Sequence, residues 1–124
     1  MKLHLAPNEG LNLFSGYGEG YVTVAQVRYE RSVVVSPRSV AEWAASAFEA
    51  LGADDFAFVT ELQPEIVLLG TGATQRFPGP ALARVLAETG AGFEVMDTRA
   101  ACRTYNILAA EGRKVAAALL LAGR

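Results

Sequence analysis

The most reactive side-chain type in this chain occurs once, as Cys102 in the run "DTRAACRTYN" at 97–106. Helical spacing puts it in the first turn of a predicted helix, with Arg99 three residues before it and Asn106 four after it on the same side. The helix dipole and a neighbouring guanidinium favour a thiolate there, which makes a cysteine nucleophile one reading. A nucleophile also needs a base, and the single histidine, His4, is almost the whole chain away. Lone cysteines are among the most buried residue types, so a packed core thiol is the stronger reading.

A second stretch, "PEIVLLGTGATQRFPGPALARVL" at 64–86, runs apolar, turns through two glycines and becomes helical. Ligands of open α/β sheets sit beyond the carboxyl ends of parallel strands. If the strands ending at Leu69 and Met96 are neighbours, their loops bring Gly70, Thr71, Gly72, Thr74 and Arg76 beside Asp97, Thr98 and Arg99. Backbone N–H groups of the glycine turn and of the helix start would then be donors for an anion or small ligand. The motif match is poor. A P-loop needs a closing Gly-Lys-Ser/Thr, and a dinucleotide fingerprint needs a third glycine where Gln75 stands. The simpler reading is that Gly70 and Gly72 permit a tight turn and close strand-to-helix packing.

Other candidates are weaker still. The alternating glycines of "GYGEG" at 16–20 lack a downstream strand lysine and read as a bulged or flexible hairpin. Arg99, Arg103 and Asn106 fall at i, i+4, i+7 and form a polar stripe of the kind usually turned to solvent. Asp97 either caps the helix or pairs with a neighbouring arginine. The sequence offers no Ser/His/Asp set and no paired carboxylates, and one cysteine with one histidine is too few for a zinc site or an internal disulfide. No catalytic residue, metal or cofactor is therefore expected.

The elements that must position these residues read as follows. In "GYGEGYVTVAQVRYERSVVVSP", Val22, Val24 and Gln26 alternate with Tyr21, Thr23, Ala25, Val27 and Tyr29, as in a strand. "YERS" turns the chain, and Val33–Val35 is a short strand stopped by Pro37. Next comes an ambiguous segment. Ser39 and Glu42 form a capping-box pattern, and Val40, Trp43, Ala44, Ala47, Phe48 and Leu51 keep helical spacing, predicting a helix over 40–51. The rival keeps the chain extended around Trp43 and starts a helix near Asp54, with Phe56, Val59 and Leu62 inside.

The second half is clearer. Ile66–Leu69 is an apolar run typical of a strand covered on both faces. Pro80 suits a first helical position, Leu82, Val85 and Leu86 form its stripe, and Gly90 follows its end. Phe93–Met96 is a strand, Thr98 caps a helix over 99–110 with Ala101, Tyr105 and Leu108 inward, and Val115–Leu121 is a final buried strand. Alternating strands and helices imply crossovers and a largely parallel sheet.

With 124 residues the chain is the size of one domain, 1–124. Its net charge of -2 gives no electrostatic footprint for nucleic acid or an anionic membrane surface. The start "MKLHLAPNEGLNL" resembles neither a signal nor a transit peptide, and the run "VAAALLLAG" is far short of the ~20 residues a bilayer crossing needs. The expectation is a cytoplasmic protein whose partner is a protein or a small molecule, without membrane insertion.

At "PEIVLLGTG", "VMDTRAACRTYNILAAEGR" and the closing "AAALLL" the chain resembles a domain-of-unknown-function family found in bacteria, archaea and eukaryotes. That family includes the third assembly factor of mitochondrial respiratory complex I and the adipogenesis-associated domain protein. The resemblance covers essentially the whole chain and is most specific at Asp97, Thr98, Ala101, Cys102, Thr104, Tyr105, Asn106, Glu111 and Gly112. It implies an α/β fold with a mixed central sheet, flanking helices and an additional N-terminal β layer. It also implies an extended "SVAEW" and a helix at about 53–62, against the helix that periodicity places at 40–51. Arg76, Arg99 and Arg103 are not part of the shared pattern, which weakens an anion site built on them. The implied role is protein contact in the assembly of a respiratory or other membrane complex. A small-ligand or anion site on the loops at 70–76 and 97–106 is the alternative, and a cysteine-dependent enzyme a third reading.

Overall fold

The computed structural model describes residues 10–45 and 47–121. Two sheets carry it. A three-stranded antiparallel meander is formed by β1 (Phe14–Gly18), β2 (Tyr21–Val24) and β3 (Val27–Tyr29). The five-stranded sheet contains β4 (Val33–Ser36), β5 (Ser39–Glu42), β6 (Ile66–Gly70), β7 (Gly92–Met96) and β8 (Val115–Leu119), in the order β5-β4-β8-β6-β7. β6 runs parallel to both β7 and β8, whereas β4 is antiparallel to β8 and to β5. The sheet is therefore mixed, not largely parallel, because β4 and β5 enter it as a hairpin and need no crossover.

Three α-helices connect these strands: α1 (Phe58–Leu62), α2 (Pro80–Ala87) and α3 (Thr98–Ala110). The connection through α2 leads from β6 to β7, and the one through α3 leads back past β6 to β8. Right-handed crossovers that travel in opposite directions place their helices on opposite faces. Packing follows that rule. Ala101, Cys102, Tyr105 and Ala109 of α3 join Val33, Val35, Leu68, Ala117, Leu119 and the N-terminal sheet in one core. Leu86 of α2 joins Val34, Trp43, Phe56, Val59, Val67, Leu69 and Ala118 in the other. β8 serves both, Val115, Ala117 and Leu119 toward the first and Ala118 toward the second, the period-two pattern of a strand buried on both faces.

The long alternating run at 21–29 is two strands. Ala25 and Gln26, with φ of 49° and 71°, form a two-residue turn, so Val22 pairs with Tyr29 and Val24 with Val27. Val27 and Tyr29 thus share a face with Val22 and Val24 instead of opposing them. The turn escapes sequence reading because it lacks the asparagine or glycine that positive φ usually demands.

The helix that periodicity places over 40–51 does not form. β5 pairs along β4 in the register Val33↔Glu42 to Ser36↔Ser39. Val40 packs on one core and Trp43 on the other, a division that neighbours i and i+3 on one helix face could not make. Trp43 Nε1–H donates to the Asp55 carbonyl at 2.7 Å, and its ring meets Phe56 edge-on at 5.6 Å. The implied helix at 53–62 appears as a 3₁₀ turn, Ala53–Phe56, followed by α1, with Phe56 and Val59 buried as that reading requires.

Candidate functional site

The strands preceding the two candidate loops, β6 and β7, are direct neighbours, and hydrogen bonds knit the loops together. Thr71 N–H donates to the Met96 carbonyl at 2.9 Å, and Thr98 N–H to the Gly72 carbonyl at 2.9 Å. Gly72 N–H donates to Thr98 Oγ1 at 2.9 Å, while that hydroxyl lies 3.3 Å from the Leu120 carbonyl of the central strand's extension. Thr71 Oγ1 donates to the Thr74 carbonyl at 2.7 Å and accepts from Arg76 N–H at 3.1 Å, which folds the loop over its own base. Asp97, not Thr98, is the cap of α3: its Oδ1 accepts from Ala100 N–H at 2.9 Å, and the helix begins at Thr98.

The glycines have separate reasons. A Cβ on Gly70 would lie 2.7 Å from Leu119 Cδ2 and 3.1 Å from Thr98 Cα, so the helix start rests directly on the strand. Gly72 has open space around it but a φ of +100°, which only glycine adopts without strain. Both uses belong to the turn. The amides of Thr71, Gly72, Thr98 and Ala100, which an anion cradle would employ, are already paired with internal acceptors.

Cys102 is completely buried, and burial pushes its thiol up to about 12, outweighing the opposing pull of Arg103. A thiol without solvent access that holds its proton cannot serve as a nucleophile at neutral pH, so the cysteine-enzyme reading fails. His4 lies outside the described residues.

The polar stripe on α3 divides. Arg99 and Arg103 are exposed, Arg103 reaching Tyr17 Oη at 3.4 Å. Asn106 instead turns toward the N-terminal sheet, where its Oδ1 accepts from Phe14 N–H and its Nδ2–H donates to the Phe14 carbonyl, both at 2.9 Å. Its amide thus completes the edge of β1 as another strand would. Next to it, fully buried Tyr105 donates from its hydroxyl to the Asn12 carbonyl at 2.8 Å and meets the Phe14 ring edge-on at 5.1 Å. Tyr105 and Asn106 together clamp the three-stranded sheet onto α3.

Of the candidate residues, Thr74, Arg76, Arg99 and Arg103 face outward at this end, together with one residue that sequence reading overlooked. Phe77 is 75% exposed, in a loop held by the Thr71 hydrogen bonds and by Arg76, whose guanidinium pairs with Glu49 and stacks 4.8 Å above the Phe48 ring. A phenylalanine set between Arg76 and Pro78 in a glycine- and proline-rich loop was the available signal. The second overlooked feature is a cleft at the far end of α3, between that helix's last turn and the β4–β5 hairpin.

Fold and site define a mixed α/β protein whose apparent polar motif is mostly a clamp between two sheets and a helix. The chain belongs to the family described as protein of unknown function DUF498/DUF598, whose model matches residues 14–120. It is 36% identical over 86 residues to the bovine (Bos taurus) NADH dehydrogenase [ubiquinone] 1 alpha subcomplex assembly factor 3, a match covering 68% of this chain and 47% of that protein. The chain spans about half the length of the assembly factors it matches. A crystal structure from Bordetella parapertussis aligns with a TM-score of 0.83 at 43% identity, covering 90% of this chain and 97% of that one. A solution structure from Bordetella pertussis, described as an Mth938-like domain, aligns with a TM-score of 0.80 at 37% identity, covering 99% and 94%. Among the described residues no helix is long and apolar enough to cross a membrane.

Proposed function

We propose that this chain is a cytoplasmic, non-catalytic protein-interaction domain acting in the assembly of a membrane complex, respiratory complex I being the first candidate. The motive for that candidate is that its relatives are complex I assembly factors. The observation that carries the interaction reading is the division of labour at the ends of β6 and β7. Groups with chemical potential are spent internally, while a largely exposed Phe77 stands on a braced loop with Arg76 beside it. Exposed aromatic and arginine side chains on a pre-organised loop are the usual anchors of protein interfaces. The docking surface on this reading comprises Thr74, Arg76, Phe77, Arg99 and Arg103; Gly70, Thr71, Gly72, Asp97, Thr98 and Asn106 shape it from beneath, and buried Cys102 packs below.

The test is affinity capture from the native host with tagged wild type beside a Phe77→Ser, Arg99→Glu variant. Both positions are exposed, so thermal unfolding of the variant should match wild type within about 0.5 kcal/mol. Capture of complex I subunits by wild type and their loss with the variant is the expected result. Equal capture by both proteins would move the surface elsewhere, and capture of no complex subunit would remove the assembly role.

A further inference from the structure

The cleft at the C-terminal end of α3 has a volume of about 670 Å³, within the ~300–1,000 Å³ range of small-molecule sites. Its walls are apolar: Leu11, Leu62, Ala110 and Val115 contribute to them. Arg38, Arg113 and Lys114 stand among the lining residues together with one carboxylate, Glu111. Arg113 is turned to Glu65, with Nε–H donating to Oε1 at 3.1 Å, which leaves Arg38 and Lys114 as the cations for a ligand's head group. Of the five donors of Arg38 one is directed at the Gly10 carbonyl, at 3.3 Å.

The end of a helix ordinarily favours a cation, since its last carbonyls are unpaired. Here the chain covers them. Glu111 N–H donates to the Ile107 carbonyl, Arg113 N–H to that of Leu108 and Gly112 N–H to that of Ala109, through a turn that Gly112 makes possible at φ +85°. With three of the last four carbonyls paired, those of Ile107, Leu108 and Ala109, the helix end is largely quenched and the side chains contribute two cations against Glu111. Ser36 and Ser39, whose hydroxyls lie 2.7 Å apart, add neutral hydrogen-bonding capacity to the same wall.

From this we infer a second site, independent of the surface proposed above: the cleft binds an amphiphilic anion, with an aliphatic body against Leu11, Leu62 and Ala110 and a carboxylate head toward Arg38 and Lys114. Apolar burial supplies the affinity, and the two cations supply the preference for negative charge.

The probe is decanoate, titrated into the isotopically labelled full chain while backbone amide resonances are followed, with decyltrimethylammonium as the comparator of equal chain length and opposite charge. Saturable shifts confined to the neighbourhood of Leu62, Ala110, Gly112 and Val115, and weaker binding of the cation, are expected. An Arg38→Glu, Lys114→Glu variant alters two exposed positions, removing two cations and adding two like charges, and should weaken decanoate about tenfold or more while keeping thermal unfolding close to wild type. Decanoate shifts that do not saturate or are scattered over the surface, or equal affinity for the cationic comparator, would overturn the assignment.

Discussion

Polar side chains gathered at the two ends of α3 are put to opposite uses. At its N-terminal end Asp97, Thr98, Thr71 and the Gly72 amide look like a ligand cradle, yet each is consumed by a bond within the chain. At its C-terminal end Arg38 and Lys114 carry no recognisable motif, and they border a cleft with apolar walls. Density of polar residues in sequence is thus a poor guide to a site. What matters is whether the polar atoms are left over after the fold has satisfied its own backbone.

The sharpest way to break this comparison is at the clamp. Asn106→Leu strands the Phe14 N–H and carbonyl beside a largely buried ring, and should cost about 2–4 kcal/mol in denaturant unfolding. A loss below about 0.5 kcal/mol, combined with weaker partner capture, would mean that Asn106 belongs to a contact surface after all.

Alkaline titration probes the same core, with a smaller effect per pH unit. The Cys102 thiol is raised from 9.0 to about 12 in the folded chain. Between those values the unfolded state has released a proton that the native state retains, so stability falls as pH rises. The slope is about 1.4 kcal/mol per pH unit, and stability is undiminished by this group below pH ~9. Burial also raises Tyr105, which adds to the decline above the ordinary tyrosine range. Unfolding measured across this window should show a shallower slope in Cys102→Ala, and native Cys102 should resist thiol reagents near neutral pH. Rapid labelling of the native protein would reopen the nucleophile reading.

The smallest effect distinguishes a cap from a binding carboxylate. Asp97→Ala should destabilise by about 1 kcal/mol, the ordinary worth of an N-cap, with Asp97→Asn nearly neutral. A variant that keeps full stability but loses partner capture would instead make Asp97 a recognition residue.

Much of this was legible in the residues themselves. The apolar run Ile66–Leu69, Pro80 at a helix start and the buried strand from Val115 all rest on local periodicity and on backbone preferences that operate over a few residues. These determined the strand–helix–strand half, while the pairing of β6 with β7 put the two loops side by side. The resemblance, carried by the run at 97–112, supplied the mixed sheet and the extended path at Trp43 that periodicity missed. Other features depended on partners distant in the chain. Asn106 reads as a solvated stripe until Phe14, 92 residues away, presents an unpaired strand edge to it. Thr98 reads as a cap until Gly72 and Leu120 converge on its hydroxyl. The cleft brings Leu11, Arg38, Leu62 and Lys114 together from four separate segments. Local sequence governs which backbone shape is cheapest, but the fate of a polar atom depends on what the folded chain brings within about 3 Å of it, and that only the tertiary structure decides.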